Sequence, residues 1–174
     1  ETSRTFPLRR VLSIAAMLIF VLCTLSLWYF MSADDLQQTS MEYMAQHYPD
    51  PVILRGQQEE AWQNAIVAYT SDDFDEMITQ MSVVVQNDSP TAEHYFYFGL
   101  AHLYTEPKAY RQALYYFEQT EKMDSATYRE DIAWYSALIY IQQEELAKAK
   151  AKLESIDDSG RYGIRAVKLL DLMK

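Results

Sequence analysis

His94 and His102 stand eight residues apart, a spacing that can place two imidazoles on one face of a helix and so begin a metal site. A protein-held transition metal needs three or four such ligands, and the third histidine, His47, is remote in the chain. No metal or other cofactor is therefore expected. The acidic run Asp72-Asp73-Phe74-Asp75-Glu76 has the charge for Ca²⁺, but it is too compressed for an EF-hand and lacks the turn glycine and the terminal glutamate of that loop. Asp73 followed three residues later by Glu76 reads instead as a capping box that opens a helix. The single cysteine, Cys23, sits in an apolar run without a partner for a disulfide or for zinc, and reads as a small lipid-facing side chain. Covalent, acid–base or phosphate chemistry would need a nucleophile with its base, an acid and base in a dry cleft, or a glycine-rich cradle. None of these is legible, so no catalytic residue and no small-molecule substrate is expected, and the chain is not read as an enzyme. Lys148, Lys150 and Lys152 alternate with alanines between flanking acids, which describes a solvated helix face and not a basic tract.

What remains is aromatic. Fourteen tyrosines could line a protein-interaction surface, where Tyr offers large contact area at low entropic cost. Tyr95, Tyr110, Tyr116, Phe98 and Phe117 fall at core-facing helical spacing, whereas Phe96, Tyr104 and Trp134 suit a core and a binding face equally.

The elements that must position these rings are helices. Four Gly and five Pro in 174 residues, against abundant Ala, Leu, Gln, Glu and Met, leave little material for hairpin turns and much for helix. The expected fold class is all-α. Beyond the apolar run, DDLQQTSMEYMAQHY predicts a short helix ending near Tyr48, halted by Pro49 and Pro51. Leu36, Tyr43 and Met44 on it are expected to pack on the following domain and not on a bilayer, because no Lys or Arg flanks them. Three helix pairs follow the link PDPVILRG. EEAWQNAIVAY pairs with DFDEMITQMSVVVQ across a break at Asp72 and Asp73. AEHYFYFGLAHLY, with Ser89 and Pro90 as cap and first-turn proline, pairs with AYRQALYYFEQTEKM across TEPK. EDIAWYSALIYIQ pairs with ELAKAKAKLESI, closed by Gly160, and YGIRAVKLLDLM stands last and alone. Met77, Ala113 and Ala149 are spaced by 36 residues at equivalent places in the second helices, the constant period of a solenoid. Gly99 and Ala137 meet the same need for small side chains at close crossings in the first helices.

Val11 to Ala33 contains no charged residue. Its apolar core of 21 residues would cover about 30 Å as a helix, the thickness of a bilayer's hydrocarbon. It ends in Trp28, Tyr29, Phe30 and Met31 and not in the small residues of a cleavage site, so a retained single-pass anchor is expected. Arg9 and Arg10 on one side, with Asp34 and Asp35 on the other, orient the N-terminus to the cytoplasm. Twelve basic and twenty-four acidic residues follow the run. A field of that sign repels phosphate backbones, and no nucleic-acid partner is expected. The chain opens on Glu1 and not on Met, as a fragment or a processed chain would.

FYFGLAHLY…AYRQALYYFEQ and AWYSALIYIQQEELAKAKAKLESI resemble tetratricopeptide repeats, over about residues 57–173. The basic flank, single span, HYPDP…RG link, WY-containing last repeat and terminal AVKLL helix are together similar to single-pass repeat proteins common in the Bacteroidota. The resemblance implies residues 1–10 as a cytoplasmic flank, 11–33 as the transmembrane helix, and 34–56 as a juxtamembrane helix and linker. It makes 57–174 an α-solenoid of about three repeat-like hairpins with a C-terminal capping helix. It also implies a concave face, lined by the first helix of each pair, where Phe96, Leu100, Tyr104, Trp134, Leu138 and Ile141 would hold a partner. The Lys, Arg and Asn that clamp peptide carboxylates in that family are almost missing from this face, so a chaperone-tail ligand is not expected. The function implied is a protein-interaction scaffold or adaptor, anchored in a bacterial inner membrane with its repeats in the periplasm. The alternatives are a signal transducer of anti-sigma type and a structural subunit of a membrane assembly.

Overall fold

Residues 60–86 carry no Gly or Pro, and the chain reverses within them only at Asp72, which takes a left-handed conformation at φ 57°. Asp is among the few residues that enter this region at modest cost. The reversal is sealed by backbone bonds from the Asp73 N–H to Ala68 O (2.9 Å) and the Asp72 N–H to Tyr69 O (3.2 Å), the pair that defines a Schellman turn. The same turn recurs at Glu144, with φ 60° and bonds from the Glu145 N–H to Tyr140 O (2.9 Å) and the Glu144 N–H to Ile141 O (3.0 Å). Asp72 and Glu144 lie two 36-residue periods apart, so the period seen in the sequence is expressed in backbone geometry. The middle pair departs from it at the turn containing Pro107, where the Ala109 N–H reaches back to His102 O.

The computed structural model describes residues 17, 19–24, 26, 35–45, 49, 60–86, 89–123 and 126–174. Among them every regular element is helical. Helix α1 covers residues 35–45. The pairs are α2 (Glu60–Thr70) with α3 (Phe74–Gln86), α4 (Ala92–Tyr104) with α5 (Tyr110–Lys122), and α6 (Arg129–Gln142) with α7 (Leu146–Glu154). A short 3-10 turn, Ala126–Tyr128, leads into α6, and α8 (Gly163–Leu172) closes the stack. From α2 to α8 each helix packs on its neighbours in sequence, so the pairs follow one another as a stack. The span expected over 11–33 falls mostly outside the described residues, as do Arg9, Arg10 and the link after Pro49. Among the described residues no helix is long and apolar enough to cross a membrane; those between 17 and 26 are helical, with Met17, Phe20 and Leu22 exposed.

Small residues let the paired helices approach as the period implied. Ala113, Ala137, Ala149 and the slender Met77 are fully buried. At Gly99 a Cβ would lie 2.5 Å from the Phe117 ring and 3.2 Å from Ala113 O. Two terminators differ from expectation. The cap of α4 is Thr91, not Ser89 with Pro90. Its hydroxyl accepts the His94 N–H and His94 Nδ1 accepts the Thr91 N–H, a reciprocal box that satisfies two donors where Ser89 would satisfy one. Gly160 does not end α7, which stops at Glu154. It lies in the loop to α8, where any Cβ would overlap the Glu130 carboxylate. Asp73 does cap α3, accepting the Glu76 N–H at 3.1 Å, while the Glu76 carboxylate turns to Gln80.

A candidate helix-holding face

Burial is unequal between the two members of the second and third pairs. Ten of the thirteen residues of α4 and ten of the fourteen of α6 are buried, against three of thirteen in α5 and two of nine in α7. A helix buried on all sides must be covered on the face its partner leaves open. The cover is α1. Leu36, Ser40 and Met44, one per turn along a single face of α1, are 4%, 0% and 4% exposed, and half-buried Tyr43 packs beside them. The apolar stripe thus seats on the repeats, as its lack of flanking cations implied.

Side chains of the first helices grip this segment largely by its main chain. The Tyr104 hydroxyl, at the end of α4, donates to Met44 O at 3.2 Å, satisfying one of the last four carbonyls of α1, which have no partner within the helix. The Gln142 amide, at the end of α6, donates to Gln37 O at 2.9 Å and to the Ser40 hydroxyl. The Tyr69 hydroxyl, near the end of α2, donates to Pro49 O at 2.9 Å. Gln37, Met44 and Pro49 thus meet α6, α4 and α2 in turn. On the α8 side, Tyr43 packs on Trp134 with ring centroids 5.6 Å apart, while Arg165 and Lys168 stand 5.9 and 5.7 Å from its ring, within cation–π range.

All six residues expected to line a binding groove are buried, with Phe96, Leu100, Trp134, Leu138 and Ile141 at 0–1% and Tyr104 at 8%. Of these, Tyr104 and Trp134 meet α1. Phe96 points elsewhere, stacking on Tyr128 at 4.5 Å and meeting Phe117 at 5.9 Å. An apolar face of that size is unfavourable in water, and the chain covers it with its own segment. The polar gripping residues, Tyr69 and Gln142, escape sequence reading because a polar side chain at a helix end is ordinary. The alignment of Leu36, Ser40 and Met44 at intervals of four was the legible half of the contact.

Below α1 a buried hydroxyl relay runs from α6 to the residue before α8. Tyr135 hydrogen-bonds to Tyr162, and the Tyr162 hydroxyl donates to Asp131 at 2.6 Å. Asp131 also accepts from Arg161 at 3.1 Å, while Glu130 accepts the Tyr162 N–H at 3.0 Å. Burial pushes the Tyr135 hydroxyl far up from its ordinary value, with the neighbouring tyrosines adding to it. Tyr162 is pushed up to about 12 by burial and then by its bond to Asp131. Tyr128 is raised by burial and by Glu93. Hydroxyls so raised are donors at neutral pH and poor bases, which suits a clamp better than proton abstraction. Because the folded values exceed the unfolded ones, their contribution is complete below about pH 10 and is lost as pH rises through about 12. Chemical-denaturation midpoints are accordingly expected to hold steady to pH 10 and fall steeply beyond, in step with tyrosinate absorbance. A midpoint unchanged at pH 12 would show that the relay ionises without cost to the fold.

The other chemistry-bearing residues have structural employment. His94 caps α4, and His102, pushed below its ordinary value by burial, stacks on Tyr116 at 5.4 Å. Lys148 pairs with Glu145, Lys150 with Glu154 at 3.8 Å, and Lys152 with Glu121 at 2.6 Å. A cleft of about 360 Å³ between α5, α6 and α7 sets Arg111 and Lys152 against Glu118 and Glu121, a mixture with no field of one sign. Among the described residues no three of His, Cys, Asp and Glu converge as metal ligands. No protein-family model, curated protein or solved structure matches the chain. Its own geometry is the ground for a functional reading.

Proposed function

We propose that the chain is a membrane-anchored helical-repeat module for protein–protein interaction, of tetratricopeptide type and similar to the anchored repeat proteins of Bacteroidota. Residues 11–33 hold it in a bacterial inner membrane, and the repeats act in the periplasm as scaffold or adaptor for an envelope protein. The observation that carries the reading is the seating of α1, with Pro49, on the first helices. Tyr104 and Gln142 of the first helices grip α1 through its carbonyls, and Tyr69 takes Pro49 O beyond it, in the helix-in-groove mode of recognition. Support for the anchor is compositional, from the uncharged run 11–33 and the exposed Met17, Phe20 and Leu22.

Two measurements test it. With Cys23 replaced by Ser, a cysteine introduced at Asp72, which lies in an exposed turn, is expected to react with a membrane-impermeant thiol reagent in intact spheroplasts. Protection there until lysis would invert the topology. A partner is expected to co-purify in stoichiometric amount from mild detergent, and a chain recovered alone after crosslinking in native membranes would refute the scaffold. A signal-transducing role is the second reading. In the sequence the described residues of α1 start at Asp35, two positions after the span expected to end at Ala33, which is the direct connection that such a role needs.

A further inference from the structure

We propose that α1 is an exchangeable occupant of the face it covers, and that the same face takes in trans a partner helix of α1's own chemistry. That chemistry is an apolar residue, a small hydroxyl residue four positions on, then an aromatic–apolar pair three and four positions beyond, on a helix acidic along its outer side. The inference rests on the interaction-module reading and deepens it by naming what is bound.

Four observations carry it. First, the bonds from Tyr69, Tyr104 and Gln142 end on carbonyls Pro49 O, Met44 O and Gln37 O. Any segment of the same backbone shape offers these acceptors, so the grip selects conformation before sequence. Second, Trp134 is 0% exposed and lies against Tyr43, and its indole N–H has no acceptor among the described residues. A buried donor left unfilled is costly, and a helix that placed an amide or carboxylate oxygen there would bind better than α1 does. Third, α1 commits little of itself to the core. Three of its eleven residues are buried, a share like those of α5 and α7, but unlike them it belongs to none of the three hairpins that would hold it in place. Elements with so few buried contacts open locally without global unfolding. Fourth, the charges are complementary. Helix α1 carries Asp35 and Glu42 and no cation, while the α8 edge brings Arg165 and Lys168 to the ring of Tyr43. An acidic helix is drawn to this edge and a basic one is turned away. Ser40, fully buried with its hydroxyl bonded to Gln37 O and facing the Gln142 amide, sets the small-residue requirement at the closest approach.

The short connection between residues 45 and 60 makes α1 an intramolecular competitor at an effective concentration in the millimolar range. A labelled synthetic peptide of residues 34–49 is therefore expected to bind the wild-type full chain in detergent micelles weakly or not at all. In the full chain carrying Leu36→Asp and Met44→Asp, which removes the seat of α1 and leaves the face intact, the peptide is expected to bind about 100-fold or more tightly by fluorescence anisotropy. A peptide bearing the same two aspartates should fail, and Gln142→Ala in the opened chain should weaken the intact peptide about tenfold, the loss of one or two hydrogen bonds. An opened chain that keeps its helical circular dichroism but does not bind the peptide overturns the proposal.

If the opened chain does not fold, hydrogen exchange on the wild type decides. Amides of α1 exchanging orders of magnitude faster than those of α4 and α6 support an exchangeable occupant, and exchange of α1 with α6 as one cooperative unit overturns it. Failure of the peptide alongside stoichiometric co-purification of an envelope protein would leave the interaction module standing on another surface. Absence of any co-purifying partner, with the peptide bound, would remove the module reading and leave α1 as a releasable strap.

Discussion

Trp134→Ala is expected to destabilise the fold by about 3–5 kcal/mol, the cost of deleting a fully buried aromatic, and to lower the melting temperature by about 10 °C or more. As a groove residue Trp134 would be dispensable to folding, and its removal would cost only a partner. Its surroundings decide otherwise. The indole is 0% exposed, Tyr162 stacks on it at 4.9 Å with ring planes 7° apart, and Tyr43 of α1 packs at 5.6 Å. Alanine leaves a cavity where α6, α8 and α1 meet, and Tyr162, which carries the relay to Asp131, loses its platform. Thermal melts of the purified chain check this. A melting temperature within 2 or 3 °C of wild type, which corresponds to about 1 kcal/mol, would mean that the face is open in solution. Trp134→Phe keeps one stacked ring without the unfilled donor, and is expected to recover most of the loss.

Gly99→Val is expected to cost about 3 kcal/mol, the upper part of the range for overfilling a packed interior. The position is helical, where glycine is ordinarily a liability of about 1 kcal/mol relative to alanine. Propensity alone would therefore make substitution favourable. The opposing term is steric and larger, since a Cβ would meet Phe117 at 2.5 and 2.6 Å. Phe117 is itself 1% exposed and held between Phe96 at 5.9 Å and Tyr135 at 6.3 Å, so the ring has nowhere to go. A second substitution identifies the mechanism. Phe117→Leu in the Gly99→Val background is expected to restore part of the stability although each change alone reduces it, a coupling of opposite sign to simple addition. Strict additivity in denaturant melts would place the cost elsewhere than at this crossing.

The two substitutions probe different layers. Gly99 reports on how α4 meets α5 within one pair, a contact that any helical repeat requires. Trp134 reports on how the pairs are covered by a segment outside the repeats. A chain destabilised at Gly99 should lose α1 and the repeats together, whereas one destabilised by Leu36→Asp in α1 should keep the hairpins. That difference is what hydrogen exchange can read.

The helices and their pairing were legible because local signals agree with one another. The scarcity of Gly and Pro, the break at Asp72 and Asp73, the turn around Pro107 and the 36-residue recurrence of Met77, Ala113 and Ala149 all point to hairpins of constant register. The bounds of α4, Ala92–Tyr104, coincide with the segment AEHYFYFGLAHLY. Caps were less legible, because Thr91 competes with Ser89 within three residues and the winner is the one for which His94 can answer. Gly160 looked like a helix stop, and its reason lies thirty residues back, at Glu130. The candidate face was half legible. Of the six residues expected there, Tyr104 and Trp134 meet α1, while Phe96 turns to Tyr128 and Phe117; the stripe on α1 was identifiable from its spacing.

By itself, then, the sequence determined an all-helical chain, the order and pairing of its helices, an acidic repeat region behind an uncharged run, and which helix faces are too apolar to stay wet. These follow from properties of neighbouring residues, summed over a turn or a period. What covers those faces was decided by the tertiary structure alone. A stripe such as Leu36, Ser40 and Met44 states that it will be buried but not against what, since the hydrophobic effect has no direction. The choice is made by shape and by hydrogen bonds that join Gln37 to Gln142 across 105 residues and Met44 to Tyr104 across 60. No local pattern encodes such pairings, and they turn a face that reads as an open groove into one already holding a helix.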